Sequence, residues 1–504
     1  MKIIIPMSGI GNRFRERGYD TQKYLLPIFE KPIIKYVLDL FPDEDDINLI
    51  LNEDDFNNQK VIKEISKFDQ ENRIKYHFVK AHKKGPGYAL LSTELLNTDE
   101  DVFVNYCDFS NIWDWAKIKK HIKNNKPDGL LPAYKGVHLH TIYRNNYAFI
   151  KEQDLKLLSI KEKEPFTDEP MNEFASTGGY YFSTGKVAKK YINQLFEKDI
   201  LINGEAYISS AYDLMAKDGL EVDIYKIDHF FQWGTPEDYE EFIYCMNEIR
   251  SLHQSKPIDL KDINLVLPIA GEGKRFSDKG YKTPKIFLEI QEKIMIELIF
   301  NRFKNQAMTL FLTNNSIYKK VLELFGKLNN SDVFSTENQT RGQADSALKL
   351  INKIENKLPI FVQSGDCILG DIDMDNVMSL NPDMVVFTKK NYRRAFTNPH
   401  NFGWVYSDKN VIKKTKIKSS PEHDDYSMIL GSFLFKNKEV YERLFNEIEN
   451  SVDTELHIDF MIEEAIKLNL KVIEINADYT SVIGTPLEYE LHKYSDHIFD
   501  RIGK

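Results

Sequence analysis

Two glycine-rich segments of this chain carry an arginine and a lysine at matching positions. The first, starting at Gly9, reads GIGNRFRERGYDTQK, and the second, starting at Gly271, reads GEGKRFSDKGYKTPK, with eight of 15 positions identical. The cations common to both are Arg13, Lys23, Arg275 and Lys285. Glycine lets backbone N–H groups approach a phosphate closely, and such cations would neutralise a triphosphate, so each half is expected to hold a phosphate-binding loop. A single copy would fit a turn with solvated cations equally well, and the second copy favours the phosphate site.

The spacing inside these segments differs from that of two common phosphate-binding motifs. A dinucleotide-binding loop needs G-x-G-x-x-G, and Phe14 and Phe276 stand where the third glycine belongs. A P-loop needs Lys followed by Ser or Thr inside the loop, and neither segment has that pair.

Apolar runs and helical spacing predict the elements that must position these loops. A buried strand leads directly into each glycine segment, and helices alternate with further strands. We expect strands at 3–7, 47–51, 74–79, 102–105, 264–268 and 308–312, and helices at 32–41, 55–68, 87–96 and 294–303. This alternation predicts an α/β fold in which each half is a mostly parallel sheet flanked by helices.

The order of features is kept along the two halves. Asn52 matches Asn314 with an offset of 314 − 52 = 262, and Gly234 matches Gly484 with an offset of 484 − 234 = 250. The spacing drifts while the order persists, which indicates a tandem duplication with shortened loops. A chain of 504 residues is also too long for one compact core. The predicted division is a first domain over 1–247, a linker over 248–261 and a second domain over 262–504.

The composition excludes several classes of protein. Lys and Arg number 67 against 77 Asp and Glu, a net charge of −10, which argues against a nucleic-acid binder. The three cysteines are too few and too scattered for a disulfide framework or a zinc cluster, so a cytoplasmic location is expected. No run approaches the roughly 18 apolar residues that membrane insertion needs. The composition allows a homo-oligomer.

The pattern G-x-G-x-R-F from Gly9, with Lys23 and then Lys31-Pro32-Ile33, resembles the sugar-1-phosphate nucleotidyltransferase family. The variant is similar to the branch found among capsule and surface-polysaccharide enzymes, and the resemblance covers both halves. It implies two Rossmann-like domains that join a nucleoside triphosphate to a sugar 1-phosphate and release pyrophosphate. The nucleotide-binding residues it implies are Ser8, Gly9, Gly11, Asn52, Gly85, Ala270, Gly271, Gly273, Asn314, Glu337 and Gly342.

The resemblance also implies Mg²⁺ as cofactor, held by Asp108 and Asp366. Each aspartate follows an apolar strand, where a carboxylate lies at the ligand crevice, although an Asp there also suits a turn or cap. Family members often add a second acid near the domain end, but Gln232 and Val482 stand at those positions. An oxygen of the sugar phosphate would attack the α-phosphorus in line, so catalysis would rest on positioning and charge neutralisation.

A Glu-Lys pair marks the sugar side in the resembling family. Glu162 would accept sugar hydroxyls and Lys163 would bind the phosphate, whereas the second half has Ile417 and Lys418. The alternative for this charged run is a solvated face. The sugar-phosphate residues implied are Glu162, Lys163, Gly178, Glu205, Lys418, Gly431 and Glu455.

The segments that precede Gly85 and Gly342 would recognise the base of the nucleotide. Uridylyl- and thymidylyltransferases of the family often carry glutamine where Lys80 and Glu337 stand here. A carboxylate such as that of Glu337 can accept two hydrogen bonds from guanine, whereas a lysine only donates, so the halves would prefer different bases. Solvated loop charges are the equal alternative.

Three further interpretations stay open. A glycosyltransferase would use a D-x-D motif, and residues 371–373 read DID. One half could be a regulatory or scaffolding domain, since Ile417 replaces the family's glutamate. A cytidylyltransferase for a non-sugar phosphate such as phosphocholine would share the glycine loop. Thr235 and Thr485, each followed by Pro and then an acid, are interpreted as helix starts.

Overall fold

The computed structural model describes residues 1–53, 58–69, 72–142, 147–290, 292–392, 395, 398–423, 425–450 and 454–503. The chain divides into two compact units. The first unit comprises Met1–Met246 with the residues from Arg501 onward, and the second comprises Asn247–Asp500. No helix of the described residues is long and apolar enough to cross a membrane.

The first unit alternates strands and helices as expected. Its strands are β1 Lys2–Pro6, β2 Pro27–Ile28, β3 Lys31–Pro32, β4 Ile47–Asn52, β5 Ile74–Val79, β6 Val102–Asn105, β7 Phe109–Asn111, β8 Gly129–Tyr134, β9 Ala148–Gln153, β10 Lys156–Glu162, β11 Phe174–Ser176, β12 Gly179–Phe182, β13 Val222–Ile227 and β14 Phe230–Gln232. Its helices are α1 Asn12–Glu16, α2 Ile33–Leu38, α3 Asn58–Ser66, α4 Pro86–Leu91, α5 Trp115–Asn125, α6 Gly185–Glu197, α7 Ile208–Lys217 and α8 Pro236–Gln254.

Most strands of the first unit form one sheet of ten strands, in the order β11-β9-β10-β13-β8-β12-β6-β1-β4-β5. The central strand β1 runs parallel to both neighbours, so that Ile3 lies opposite Ile47 on one side and Phe103 on the other. Strand β12 is antiparallel to β6 and β8. Ile3, Ile4 and Ile5 are fully buried because a parallel central strand is covered on both faces.

The second unit repeats the alternation. Its strands are β15 Ile258–Asp259, β16 Asn264–Pro268, β17 Glu289–Ile290, β18 Lys293–Ile294, β19 Phe303–Lys304, β20 Met308–Asn314, β21 Ser331–Thr336, β22 Ile360–Gln363, β23 Cys367–Leu369, β24 Met384–Lys389, β25 Gly403–Asp408, β26 Val411–Ile417, β27 Ser427–Phe435, β28 Val472–Asn476 and β29 Thr480–Val482. Its helices are α9 Lys274–Ser277, α10 Met295–Phe300, α11 Asn315–Phe325, α12 Gln343–Ile351, α13 Met374–Ser379, α14 Lys438–Glu449, α15 Asp459–Lys467 and α16 Pro486–Ile502.

The sheet of the second unit has the same strand order as that of the first. Its nine strands run β21-β20-β16-β22-β27-β24-β28-β26-β25, with β16 parallel to β20 and β22. Strand β27 pairs with β22, β24 and also β25, and so takes the places that the two short strands β11 and β12 hold in the first sheet. The prediction of two α/β units with parallel strands and flanking helices is confirmed, and antiparallel strands make each sheet mixed.

Element boundaries differ from the sequence predictions mainly at helix ends. The helix expected over 32–41 spans only Ile33–Leu38, and the one expected over 294–303 spans Met295–Phe300. In the second case the chain re-extends into β19, which pairs with β15. The helix expected over 55–68 is observed as Asn58–Ser66, with residues 54–57 outside the described residues. The segment 248–261 contains the end of α8 and the strand β15.

Candidate functional site

Each glycine loop turns through a left-handed residue and enters a one-turn helix. Gly11 has φ 71° and precedes α1, and Gly273 has φ 65° and precedes α9. This conformation favours glycine, which explains the second glycine of each motif. The first turns of these helices carry Arg13 and Arg275, whose side chains are exposed.

The lysine at the end of each glycine segment contacts the predicted metal aspartate. Lys23 Nζ lies 2.5 Å from Asp108 Oδ2, and Lys285 Nζ lies 3.1 Å from Asp366 Oδ2. The two residues of each pair are 85 and 81 positions apart in the chain, so only the fold brings them together. The same cation–carboxylate pair therefore forms in both units.

Electrostatics keep these pairs ionised. Burial is the largest single effect and lowers the pKa of Lys23, but the charge of Asp108, the hydrogen bond to it and a contribution from Cys107 together outweigh burial, and the net shift is upward. Burial raises the pKa of Asp366, but Lys285 and a hydrogen bond from Ser364 Oγ at 2.7 Å outweigh it and the net shift is downward. Lys23 is thus an ammonium and Asp366 a carboxylate at neutral pH, and a carboxylate is the form that binds a cation.

A glycine near the end of each half lies against the aspartate. A β-carbon on Gly234 would lie 3.0 Å from Asp108 Oδ2 and 3.1 Å from Gln232 Nε2. A β-carbon on Gly484 would lie 3.5 Å from Asp366 Oδ2 and 3.3 Å from the carboxylate of Glu488. The glycines of the two G-T-P motifs therefore leave room for the carboxylates.

Glu488 is a neighbour of Asp366 that the sequence did not identify. Thr485 starts helix α16 as predicted: the backbone N–H of Glu488 donates to Thr485 Oγ1 at 3.2 Å, and that of Thr485 donates to Glu488 Oε2 at 2.8 Å. Burial and the charge of Asp366 both raise the pKa of Glu488. The spacing of Thr485 and Glu488 predicted a helix cap, but only the fold shows that this cap lies beside Asp366.

On the sugar side of the first unit, two predicted residues are linked through a tyrosine, and a third accepts a hydrogen bond from a serine. Lys163 Nζ donates to the Tyr207 hydroxyl at 2.9 Å, and that hydroxyl donates to Glu205 Oε2 at 2.7 Å. Glu162, the last residue of β10, accepts from Ser209 Oγ at 2.6 Å, and burial raises its pKa. Tyr207 and Ser209 carried no motif by which the sequence could have identified them.

The predicted nucleotide side and sugar side adjoin in both units. A β-carbon on Gly85 would lie 3.0 Å from Glu205 Cβ, and one on Gly342 would lie 2.9 Å from Glu455 Cγ. Both glycines have positive φ, 83° and 138°. The charge of Arg13 acts on Tyr207, whose pKa burial raises, so this arginine also lies within electrostatic reach of the sugar side.

Two further predicted residues, Gly178 and Gly431, occupy matching places. Gly178 and Gly431 have positive φ, and their carbonyls accept from the backbone N–H of Tyr106 and Ser364, each at 3.1 Å. The Asn314 side chain caps α11 and donates to the Ala270 carbonyl at 3.2 Å.

Asn52 ends β4, and its carbonyl accepts from Asn58 Nδ2 at 2.7 Å. Ser8 Oγ lies 3.5 Å from His82 Nε2, beside the first glycine loop. Lys80 and Glu337 are exposed, as the alternative of solvated loop charges requires.

Two other sequence features have structural roles. Asp371 Oδ1 accepts from the backbone N–H of Lys256 at 2.9 Å, and Asp373 caps α13, so both acids of the D-x-D tripeptide are engaged by backbone groups. Burial raises the pKa of the Cys107 and Cys367 thiols to about 12. Neither cysteine is a thiolate at neutral pH, which leaves oxygen ligands around the aspartates.

Residues 264–488, within the second unit, match the family model described as Nucleotidyl transferase. No curated protein matches it. A nucleoside-diphosphate-sugar pyrophosphorylase from Vibrio cholerae RC9 shares 20% identity over 48% of this chain and 99% of its own, with a TM-score of 0.39. A putative glucose-1-phosphate thymidylyltransferase from Bacillus anthracis shares 21% sequence identity over 48% of this chain and 92% of its own, with a TM-score of 0.39. An inositol-1-phosphate CTP transferase from T. maritima shares 16% sequence identity over 48% of this chain and 97% of its own, with a TM-score of 0.36.

Proposed function

We propose that the chain is a tandem nucleotidyltransferase that makes a nucleotide-activated sugar from a nucleoside triphosphate and a sugar 1-phosphate, with release of pyrophosphate. The observation that carries this proposal is the ion pair between the loop lysine and the strand-end aspartate, Lys23 with Asp108 and Lys285 with Asp366. We assign the domains to 1–247 and 262–504 and the product to capsule or surface polysaccharide, in the cytoplasm.

The chain's own groups would act by binding and charge neutralisation. Backbone N–H groups of the glycine loop would bind the triphosphate, and Arg13 and Lys23 would neutralise the charge that develops at the α-phosphorus. A phosphate oxygen is already anionic, so the reaction needs no protein nucleophile or general base. Lys163, held by Tyr207, would bind the phosphate of the sugar.

A divalent cation would supply further charge neutralisation when bound, and Asp108 and Asp366 are the residues that would hold it. Among the described residues, no group of three or more His, Cys, Asp or Glu could hold a metal ion. A site with one carboxylate and neutral thiols fits Mg²⁺, which takes oxygen ligands and leaves most positions to phosphates and water.

The second unit differs from the first on the sugar side, and this difference supports a second candidate function. Ile417 stands where the first unit has Glu162. The second unit would then use a different substrate, including a non-sugar phosphate such as phosphocholine, or serve a regulatory role. The exposed charges of Lys80 and Glu337 would allow the units to prefer different bases.

The test is pyrophosphate release by the full chain over a matrix of nucleoside triphosphates and sugar phosphates. Asp108→Asn and Asp366→Asn should each lower one of the activities roughly 100-fold or more, since each removes the carboxylate of one site. The double variant should lose all of them. Asp371→Asn, outside the proposed sites, is the matched control. Full activity in the double variant would refute the proposal.

A further inference from the structure

The two units have the same arrangement of two paired strands and a helix beside the lysines proposed to bind phosphate. In the first unit β9 pairs with β10 and α7 packs on β10; in the second β25 pairs with β26 and α15 packs on β26. Lys163 and Lys418 follow β10 and β26, with φ of 63° and 50°. Their N–H groups donate to the carbonyls of Tyr147 at 2.8 Å and Phe402 at 3.1 Å. These positions therefore correspond.

In the first unit the carboxylate next to the lysine comes from the strand. Glu162 lies opposite Ala148 in the β9–β10 ladder, and the facing residue on α7 is Ser209, whose hydroxyl donates to Glu162 at 2.6 Å. Strand β10 thus provides the carboxylate, strand β9 provides the methyl group of Ala148, and helix α7 provides the hydroxyl of Ser209.

In the second unit all three of these positions have changed. Ile417 lies opposite Gly403 in the β25–β26 ladder, and Asp459 on α15 occupies the place that corresponds to Ser209. A β-carbon on Gly403 would lie 2.5 Å from Asp459 Oδ2 and 3.3 Å from its Cγ. An alanine like that of the first unit would overlap this carboxylate unless one of the two moved, so the glycine makes room for a carboxylate that comes from the helix.

The charges around Asp459 place it in the proposed site. Burial raises its pKa to about 6, and the charge of Lys418 opposes that rise. The charge of Asp366 also acts on Asp459, so the carboxylate lies within electrostatic reach of both the phosphate lysine and the strand-end aspartate. His457, two residues earlier, is within reach of Lys418 and Arg275.

We infer that Asp459 is the carboxylate that binds the substrate in the second unit. It comes from helix α15, whereas the corresponding carboxylate of the first unit, Glu162, comes from strand β10. This inference rests on the proposed function and deepens it. The ligand it implies is a phosphate ester with a hydroxyl group close to its phosphate, because a carboxylate accepts hydrogen bonds and Lys418 binds the phosphate. The second unit then selects hydroxyl-bearing phosphates, and phosphocholine, one of the candidates named above for this unit, is excluded.

The experiment uses the full chain with Asp108→Asn, which silences the first site, and adds Asp459→Asn. The phosphates are glucose 1-phosphate, mannose 1-phosphate, glycerol 3-phosphate and the hydroxyl-free phosphocholine. A hydrogen bond to a charged group corresponds to roughly 10- to 100-fold in affinity, so KM for the hydroxyl-bearing phosphates should rise by that factor. KM for the nucleotide should not change. Glu439→Gln, which removes another first-turn helix acid, is the matched control and should change neither constant.

A second variant separates substrate reading from helix stability. The triple change Gly403→Ala, Ile417→Glu and Asp459→Ser installs the first unit's arrangement and should restore KM for the hydroxyl-bearing phosphates to within a few-fold of the parent. An unchanged KM in Asp459→Asn, or an equal rise for phosphocholine, would overturn the inference.

If the second unit releases no pyrophosphate with any pair, the proposed function fails there, and calorimetry with the same four phosphates still decides the inference. A preference for hydroxyl-bearing phosphates over phosphocholine that Asp459→Asn abolishes supports it. The absence of such a preference in the parent chain overturns it.

Discussion

At the scale of single residues, the recurring unit is a lysine that holds a carboxylate ionised in a partly buried place. Lys285, together with the hydrogen bond from Ser364, outweighs the effect of burial on the pKa of Asp366, and Lys23 forms the same ion pair with Asp108. A triphosphate bound beside such a pair meets a cation that is already positioned, so little reorganisation is needed when charge develops.

Replacement of Lys285 by Met should therefore lower the second unit's rate of pyrophosphate release roughly 100- to 1,000-fold, because the oriented ammonium is lost while the aliphatic stem remains. The measurement is kcat/KM in the Asp108→Asn chain. Lys282→Met, an exposed lysine three residues earlier, is the control and should retain the parent rate. A Lys285→Met chain as active as this control would contradict the role proposed for Lys285.

At the scale of elements, the strands and loops that carry the site were largely predictable, and the residues that other helices bring beside it were not. The strands β1 and β16 and the glycine loops that follow them were predicted from apolar runs and glycine spacing, and the structure adds the left-handed conformation of Gly11 and Gly273. Glu488 was missed because its spacing from Thr485 signals a helix cap, and no local pattern tells which way a cap faces.

Asp459 was missed for a related reason: its relation to Gly403 and Ile417 exists only after a helix and two strands have packed. Sequence periodicity assigns residues to a face of an element but does not say which residue of another element fills the space above it. The extra antiparallel strands escaped prediction likewise, because β27 enters its sheet through long-range pairing with β22, β24 and β25.

Gly342 provides a test of how closely the elements approach. It has φ 138°, and a β-carbon there would lie 2.5 Å from the Leu456 carbonyl oxygen. Gly342→Ala should lower the free energy of unfolding by roughly 1–3 kcal/mol through strain and overlap. Gly271→Ala, with nothing within 4 Å of its β-carbon and no positive φ, should change it by about 0.5 kcal/mol or less. Urea denaturation measures both, and equal effects would contradict the packing described.

At the scale of the whole molecule, the two units share a strand order but differ in their buried ionisable groups. His138 and His140 are buried in the first unit. Burial lowers the pKa of His138 to about 4 and lowers that of His140 well below its usual value. The unfolded chain therefore binds protons between about pH 6.5 and 4 that the folded first unit does not.

The first unit should accordingly be most stable above about pH 6.5 and lose stability as the pH falls toward 4. His138 alone accounts for roughly 2 kcal/mol between pH 7 and pH 5. Three of the four tryptophans, Trp113, Trp115 and Trp233, lie in the first unit, so their fluorescence follows its unfolding in urea. His138→Gln should reduce the pH dependence, whereas the exposed His400→Gln should not. A dependence that His138→Gln leaves intact would assign the effect to other groups.

The positive φ of Lys163 and Lys418 has a consequence for engineering and for evolution. A side chain in this left-handed conformation costs about 1–2 kcal/mol relative to glycine, and both units keep a lysine there. A screen for thermostability alone would favour glycine or asparagine at these two positions, where the backbone would relax. Under the proposed function the same variants would lose the lysine that binds phosphate, so selection for stability and selection for catalysis would act in opposite directions at these positions.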